Sequence, residues 1–218
     1  VYHSEFSTSV YREQPTMRNC LFVGILTLLV FEAQAFFSFS WPHLWKCPDL
    51  QVEQEFQIIS YMGTWYTQLG YNIECVQGAG RCSRADYTYD YSRQVVNMYS
   101  KQISTSNKWV TLNATLTAID GTKQEGKFKI NFDLNFWGDV TGPYWVLGTD
   151  YNTYAVVYSC QNFLYFFHYY SAWLLSREQD IDGTGQAPQY YSLVYAVLAS
   201  NNIPLSKFKK IDQFNCNV

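Results

Sequence analysis

A chain of 218 residues favours one folded domain, and its apolar fraction of 48% is ordinary for a globular protein. A formal net charge of −3, with no basic run, leaves no footprint for a nucleic-acid partner. The unusual quantity is the aromatic fraction of 19%, which suits half-buried strands and flat contacts to a ring-bearing ligand.

Residues 1–16 precede a candidate initiator, Met17, and are expected to be leader or untranslated read-through with no structure of their own. Met17-Arg18-Asn19 gives a short basic start, and Leu21 to Phe31 is an almost unbroken apolar run. Ala33-Gln34-Ala35 then fits the small-x-small rule, so 17–35 reads as a secretory signal cleaved before Phe36. The apolar run is far short of the ~20 residues needed to span a bilayer, so no integral membrane segment is expected. Residues 36–218 would form the mature extracellular domain.

Secretion changes the meaning of the cysteines. Cys20 leaves with the signal, and Cys47, Cys75, Cys82, Cys160 and Cys216 remain, an odd set that predicts two bridges and one leftover thiol. None has the paired short spacing of a zinc site, and only His43 and His168 remain as imidazoles, so no metal centre is expected. The sequon Asn113-Ala114-Thr115 fits a glycosylated extracellular chain.

From Tyr61 to Arg177 the pattern is strand, turn, strand. Candidate strands are 63–71, 84–90, 94–104, 108–118, 127–136, 144–150, 153–160 and 169–177, separated by polar or Gly-bearing connections. In Lys127-Phe-Lys-Ile-Asn-Phe-Asp-Leu134 every even position is apolar and every odd one polar, so one face meets an apolar interior and the other meets water. Eight antiparallel strands with short links predict an all-β, up-and-down barrel, whose closure removes exposed edges. Beyond Arg177 the period changes: Tyr191, Val194, Tyr195 and Leu198 form a helical stripe, with Pro188 in the first turn and Asn201-Asn202 at the end. That helix is expected to pack outside the barrel. The segment from Gln161 to Tyr170 is dense in aromatics where a polar turn would be the default. It reads either as a strand extension with alternate residues buried or as an exposed patch that docks a second subunit or covers a ligand end protruding from the barrel.

Three short motifs carry a resemblance. Gly63-x-Trp65 lies on the first strand, Thr149-Asp150-Tyr151 between the sixth and seventh, and Arg177 at the end of the eighth. In that order and on those elements they resemble the lipocalin family, in which the three regions meet at the closed end of the barrel and the Arg stacks on the Trp. Cys47-Pro-Asp, Gly80-Arg-Cys82-Ser-Arg-Ala-Asp-Tyr-Thr-Tyr-Asp90, the block from Tyr144 to Cys160 and Leu205-Ser-Lys-Phe208 narrow the likeness to arthropod pigment lipocalins and their apolipoprotein-D-like relatives.

The resemblance implies bridges Cys47–Cys160 and Cys82–Cys216. Cys75 departs from the pattern; it is expected to be a free thiol in the first mouth-side loop, a link to another chain, or a substitute for Cys82. With Trp65 pointing inward, alternation puts Thr67 and Leu69 on the wall. The likeness adds Tyr87, Met98, Ser100, Phe132, Leu134, Tyr144, Tyr169 and Ser171. An apolar and aromatic wall with a few hydroxyls binds by burying apolar area while the hydroxyls orient a polar end. The implied ligand is a carotenoid of the astaxanthin type, with biliverdin or a colourless lipid as alternatives. The implied assembly is a homo- or hetero-oligomer through the aromatic segment 161–170. No catalytic residues are expected, because Cys75 has no evident basic partner and no Ser–His–acid set is recognisable.

Overall fold

The computed structural model describes residues 43–133, 140–163 and 166–216. The expected leader and signal segments, and Leu134, lie outside the described residues. Eight long strands make the barrel: β2 (Gly63–Tyr71), β3 (Gly80–Asp90), β4 (Val95–Ser104), β5 (Trp109–Ala118), β6 (Lys127–Phe132), β7 (Val140–Thr149), β8 (Tyr154–Phe163) and β9 (Phe167–Ser176). Each pairs antiparallel with the next, and β9 returns to pair with β2, so the sheet closes. Two short strands add to it: β1 (His43–Leu44) runs beside β9, and β10 (Lys209–Lys210) beside β2. β3 pairs with β2 only as far as Tyr66, and β10 takes the edge at Leu69 and Gly70. The chain therefore covers its own opening edge.

Alternation divides the side chains between two cores. One fills the barrel with Trp65, Tyr87, Val96, Met98, Leu116, Phe128, Ile130, Phe132, Tyr144 and Val157. The other lies between the outer wall and the C-terminal helix α3 (Ala187–Ser200), with Leu147, Val156, Tyr158, Leu174, Tyr190, Val194 and Leu198. Helix α3 starts at a Pro in its first turn, where the missing N–H costs nothing. Its buried face is Tyr190, Val194 and Leu198, rotated from the expected stripe, so that Tyr191 is half-buried and Tyr195 is exposed. The helix comes so close to β7 that a Cβ at Gly148 would sit 2.7 Å from Val197 Cγ2. Two short helices mark the barrel ends: α1 (Ile58–Tyr61) at the Trp65 base and α2 (Glu74–Gln77) at the mouth.

Cys47 bonds Cys160 and Cys82 bonds Cys216. The first ties the N-terminal segment to β8, and the second ties the C-terminal tail to β3. Gln213 reinforces the second by donating to the backbone oxygens of Thr67 and Ser83 at 2.8 and 2.9 Å. The bridges span 113 and 134 residues of sequence. Loops of that length place each contribution at about 4–5 kcal/mol in the chain-entropy account. The paired substitution Cys82→Ala/Cys216→Ala is expected to lower the unfolding free energy in urea by about 4 kcal/mol with an unchanged barrel circular dichroism.

Candidate ligand-binding site

The base of the barrel is built around one cation. The Arg177 guanidinium lies 3.8 Å from the Trp65 ring centroid. Its Nε donates to Tyr151 O at 2.9 Å, Nη1 to Thr64 O at 2.9 Å, and Nη2 to Ser60 O and Tyr61 O at 3.1 and 3.3 Å. Trp65 Nε1 donates to the same Tyr61 oxygen at 2.9 Å. Gly63 has φ +96°, and a Cβ there would lie 3.3 Å from Arg177 Nη1, so both backbone and space call for glycine. The turn from Thr149 to Tyr151 shapes the remaining wall: Asp150 Oδ1 accepts from the backbone N–H groups of Asn152, Thr153 and Tyr154, which presents Tyr151 O to the guanidinium.

Above this floor three phenols form a chain. Tyr61 Oη lies 3.0 Å from Tyr144 Oη, which lies 2.8 Å from Tyr87 Oη, all buried. Burial is the main cause that raises each above the ordinary phenol range, with Tyr87 pushed up to about 12. Three O–H groups sharing two contacts leave one proton outside the chain. Tyr87 and Tyr144 face a small void of about 50 Å³ in the barrel, together with Thr67, Met98, Ser100 and Phe132 from the expected set.

Four expected residues stand differently. Leu69 faces outward and packs in the helix-side core, because a β-bulge between Thr67 and Leu69 inserts Gln68 and reverses the parity. Gln68 uses that position to donate to Ser176 Oγ at 2.9 Å and to Glu178 O at 3.1 Å. Ser171 and Tyr169 share the inward parity of Trp173 on β9, but neither lines the void, and Ser171 Oγ donates to Asn72 O at 2.9 Å. Leu134 lies outside the described residues.

Other lining residues were not expected: Ala85, Leu112, Ile130, Val157, Trp173 and Leu175. Trp173 and Leu175 follow from Ser171 by the same two-residue period, and Ala85 from Tyr87, so alternation carries that signal. Gln77 has no such signal, since it comes from α2 rather than a strand. It nevertheless lies at the centre of a polar cluster at the mouth, bonded to Ser83, Gln102 and Trp173. A larger pocket of about 300 Å³ lies on its other side, lined by Gly78, Ala79, Ser104, Val110 and Thr111 among others.

The remaining expectations fall as follows. Cys75 is disulfide-bonded, which corrects the expectation of a free thiol, and Cys82 keeps its own bridge. Asn113 is exposed on the outer face of β5, opposite Tyr99 of β4. In the aromatic segment, β8 and β9 extend until Phe163 pairs with Phe167, His168 and Tyr170 are buried, and Phe166 is exposed. His43 and His168 stack outside the barrel at 5.1 Å, and among the described residues no cluster of His, Cys, Asp and Glu is arranged to hold a metal ion. No helix among the described residues is long and apolar enough to cross a membrane.

A closed eight-stranded antiparallel barrel, a Gly-x-Trp base capped by Arg and an outer C-terminal helix define a class. A profile for the Lipocalin / cytosolic fatty-acid binding protein family matches residues 62–213, and the chain belongs to the lipocalin family. It is 31% identical to apolipoprotein D of Bos taurus over 191 residues, which cover 85% of this chain and 88% of that protein. It is 29% identical to insecticyanin-A of Manduca sexta over 143 residues, covering 63% and 71%. The solved structure of insecticyanin from that species superposes with a TM-score of 0.68 at 25% identity, over 78% of this chain and 88% of that one. Lobster apocrustacyanin A1 superposes with a TM-score of 0.59 at 24% identity, over 71% and 78%, a likeness of fold.

The buried phenols generate a pH prediction. Their folded pKa values are raised, so the unfolded chain releases its phenolic protons first, and the stabilisation is complete below the ordinary value of 10 and lost above it. Unfolding free energy is expected to fall between pH 10 and 12, by about 1.4 kcal/mol per pH unit for each such phenol. Urea midpoints measured across this range, with Tyr87→Phe showing a shallower fall than the parent, check it.

Proposed function

We propose that this protein is a secreted carrier that holds a hydrophobic chromophore in its barrel, and that the chromophore is a carotenoid of the astaxanthin type. The observation that carries the reading is the wall itself: Tyr87, Tyr144, Phe132 and Trp173 offer ring faces, with Met98, Leu112, Ile130 and Val157 between them and only a few hydroxyls. Apolar burial supplies the affinity of such a wall and the polar groups set orientation. Tyr87 and Tyr144 at depth, and Ser83 and Ser100 nearer the mouth, would hold the keto-bearing ring of one end. Such a pigment bound and polarised in the barrel would supply colour, for camouflage or photoprotection.

The small void admits one end group at most after side-chain movement, so a long polyene would project past the mouth. We take the patch of Leu44, Trp45 and Phe166, each more than 60% exposed beside segment 161–170, as the surface on which a second subunit covers the rest. Residues 17–35 would direct secretion, and Asn113, exposed on the outer wall, would carry a glycan. The reading involves no catalytic step; the lipocalin family is generally one of binding and transport.

Biliverdin fits less well, because its propionates call for free cations at the mouth, and Lys101 is already drawn over the Trp109 ring at 4.8 Å. A colourless lipid is the second reading. The extent of the likeness to apolipoprotein D, over 85% of this chain, and the modest inner void favour it. Absorption spectroscopy of protein from its own tissue separates the three. A broad visible band that collapses on denaturation to that of a free carotenoid is expected. Paired near-ultraviolet and red bands would assign a bilin, and a colourless protein yielding lipid on extraction would overturn the pigment reading.

A further inference from the structure

The inner void and the mouth pocket share Val76, Gln77, Ser100 and Leu112 in their linings. Gln77 and Ser100 are the polar members of this partition, and Gln77 is held from several sides. Its Nε2 donates to Ser83 Oγ at 2.9 Å and to Gln102 Oε1 at 2.8 Å, and its Oε1 accepts from Trp173 Nε1 at 3.1 Å. The amide orientation follows from chemistry, because an indole N–H only donates and must face the oxygen. Gln102 is fixed in the same way: its Nε2 donates to the Gln77 and Gly78 carbonyls at 2.7 and 2.9 Å, so its oxygen faces the Gln77 nitrogen. Ser83 is 2% exposed and Gln102 4% exposed, so neither finds water easily. Ser83 Oγ also meets Thr67 Oγ1 at 3.2 Å.

A void of about 50 Å³ is too small for a ligand end group as it stands, and Gln77 lines both spaces, so turning its side chain out merges them and opens a way from the mouth to the phenols. Displacement strips a donor from Gln102 Oε1 and an acceptor from Trp173 Nε1–H at once. A hydrocarbon end would leave both unpaired in the barrel, and a buried polar group without a partner costs far more than an ordinary hydrogen bond gains. A carboxylate would satisfy the indole but set its charge against Gln102 Oε1, since it accepts and cannot donate.

We propose that Gln77 is a displaceable placeholder whose carboxamide marks the site of the ligand's polar group. The group that replaces it is uncharged, with a carbonyl for Trp173 Nε1–H beside an O–H or N–H for Gln102 Oε1: an α-hydroxyketone or a primary amide. Gln77 is thus a specificity-determining residue, and the inference rests on the carrier reading above.

The test titrates the full-length protein at neutral pH with hexadecane, 2-hexadecanone, 1-hydroxy-2-hexadecanone and hexadecanoate, followed by calorimetry and indole fluorescence. The hydroxyketone is expected to bind about tenfold more tightly than the plain ketone, and the ketone more tightly than the alkane. Gln77→Ala is expected to strengthen binding of all of them several-fold, because no side chain competes for the site. Trp173→Phe is expected to weaken the hydroxyketone and the ketone while tightening the alkane, which then leaves one fewer polar group unpaired. Equal affinities across the probes, tightest binding by hexadecanoate, or a Gln77→Ala protein indistinguishable from the parent would overturn the placeholder while leaving the carrier reading intact. Failure of every probe to bind either parent or Gln77→Ala protein would overturn both. The probe ranking in the parent protein needs no variant to fold.

Discussion

The stacking of Arg177 on Trp65 is the contact on which the barrel depends. It closes the tube at one end over a cluster of buried rings that includes Phe56, Tyr61 and Trp65, where one planar cation covers the indole and gathers carbonyls from α1, from β2 and from the turn after β7. Ser60 and Tyr61 supply two of the four from α1, Thr64 one from the start of β2 and Tyr151 one from the turn, so the guanidinium joins the α1–β2 segment to the turn after β7. An ammonium could not substitute, since the rigid fork of donors is what reaches several acceptors at once. With the base closed, water is kept from the phenol chain above it, and the phenols stay neutral and hydrogen-bonded to one another. The floor of the binding space is polar, and its remaining proton faces upward or into the wall.

Much of this architecture was legible in the residues. Strand alternation is a local property, and the run from Lys127 to Phe132 faces inward and outward as its sequence dictates. The Gly-x-Trp, Thr-Asp-Tyr and Arg motifs were legible because each solves a local problem: a positive φ beside a guanidinium, an Asx turn, a cation over an indole. What failed to read out was set by closure. Leu69 turned outward because joining β2 to β9 needs a bulge, and one inserted residue reverses every side chain after it. The helix face rotated to Tyr190 for a related reason, since its angle on the barrel is fixed by close approach to Gly148 rather than by its own period. Gln77 was invisible because it belongs to a connection, where no period assigns a face.

The interior joins two chemistries along one axis, a phenol chain at depth and an amide–indole–hydroxyl cluster at the mouth, with apolar and aromatic wall between them. That order matters for a carrier. Apolar contact is non-directional and would accept many ligands, whereas donors and acceptors held in a dry wall reject those that leave them unpaired. The Cys47–Cys160 and Cys82–Cys216 bridges and the Gln213 strap fix the outer frame, and a disulfide at Cys75 holds α2, so rearrangement on loading falls to side chains at the mouth such as Gln77.

The most direct test is a crystal structure of the protein loaded with the hydrophobe extracted from its own tissue. Ligand density is expected inside the barrel, against Tyr87, Tyr144 and Trp173, with the base unchanged and the Gln77 side chain turned out of the wall. Density confined to the outer surface, with the small inner void as it is in the free protein, would contradict a carrier that loads through its mouth.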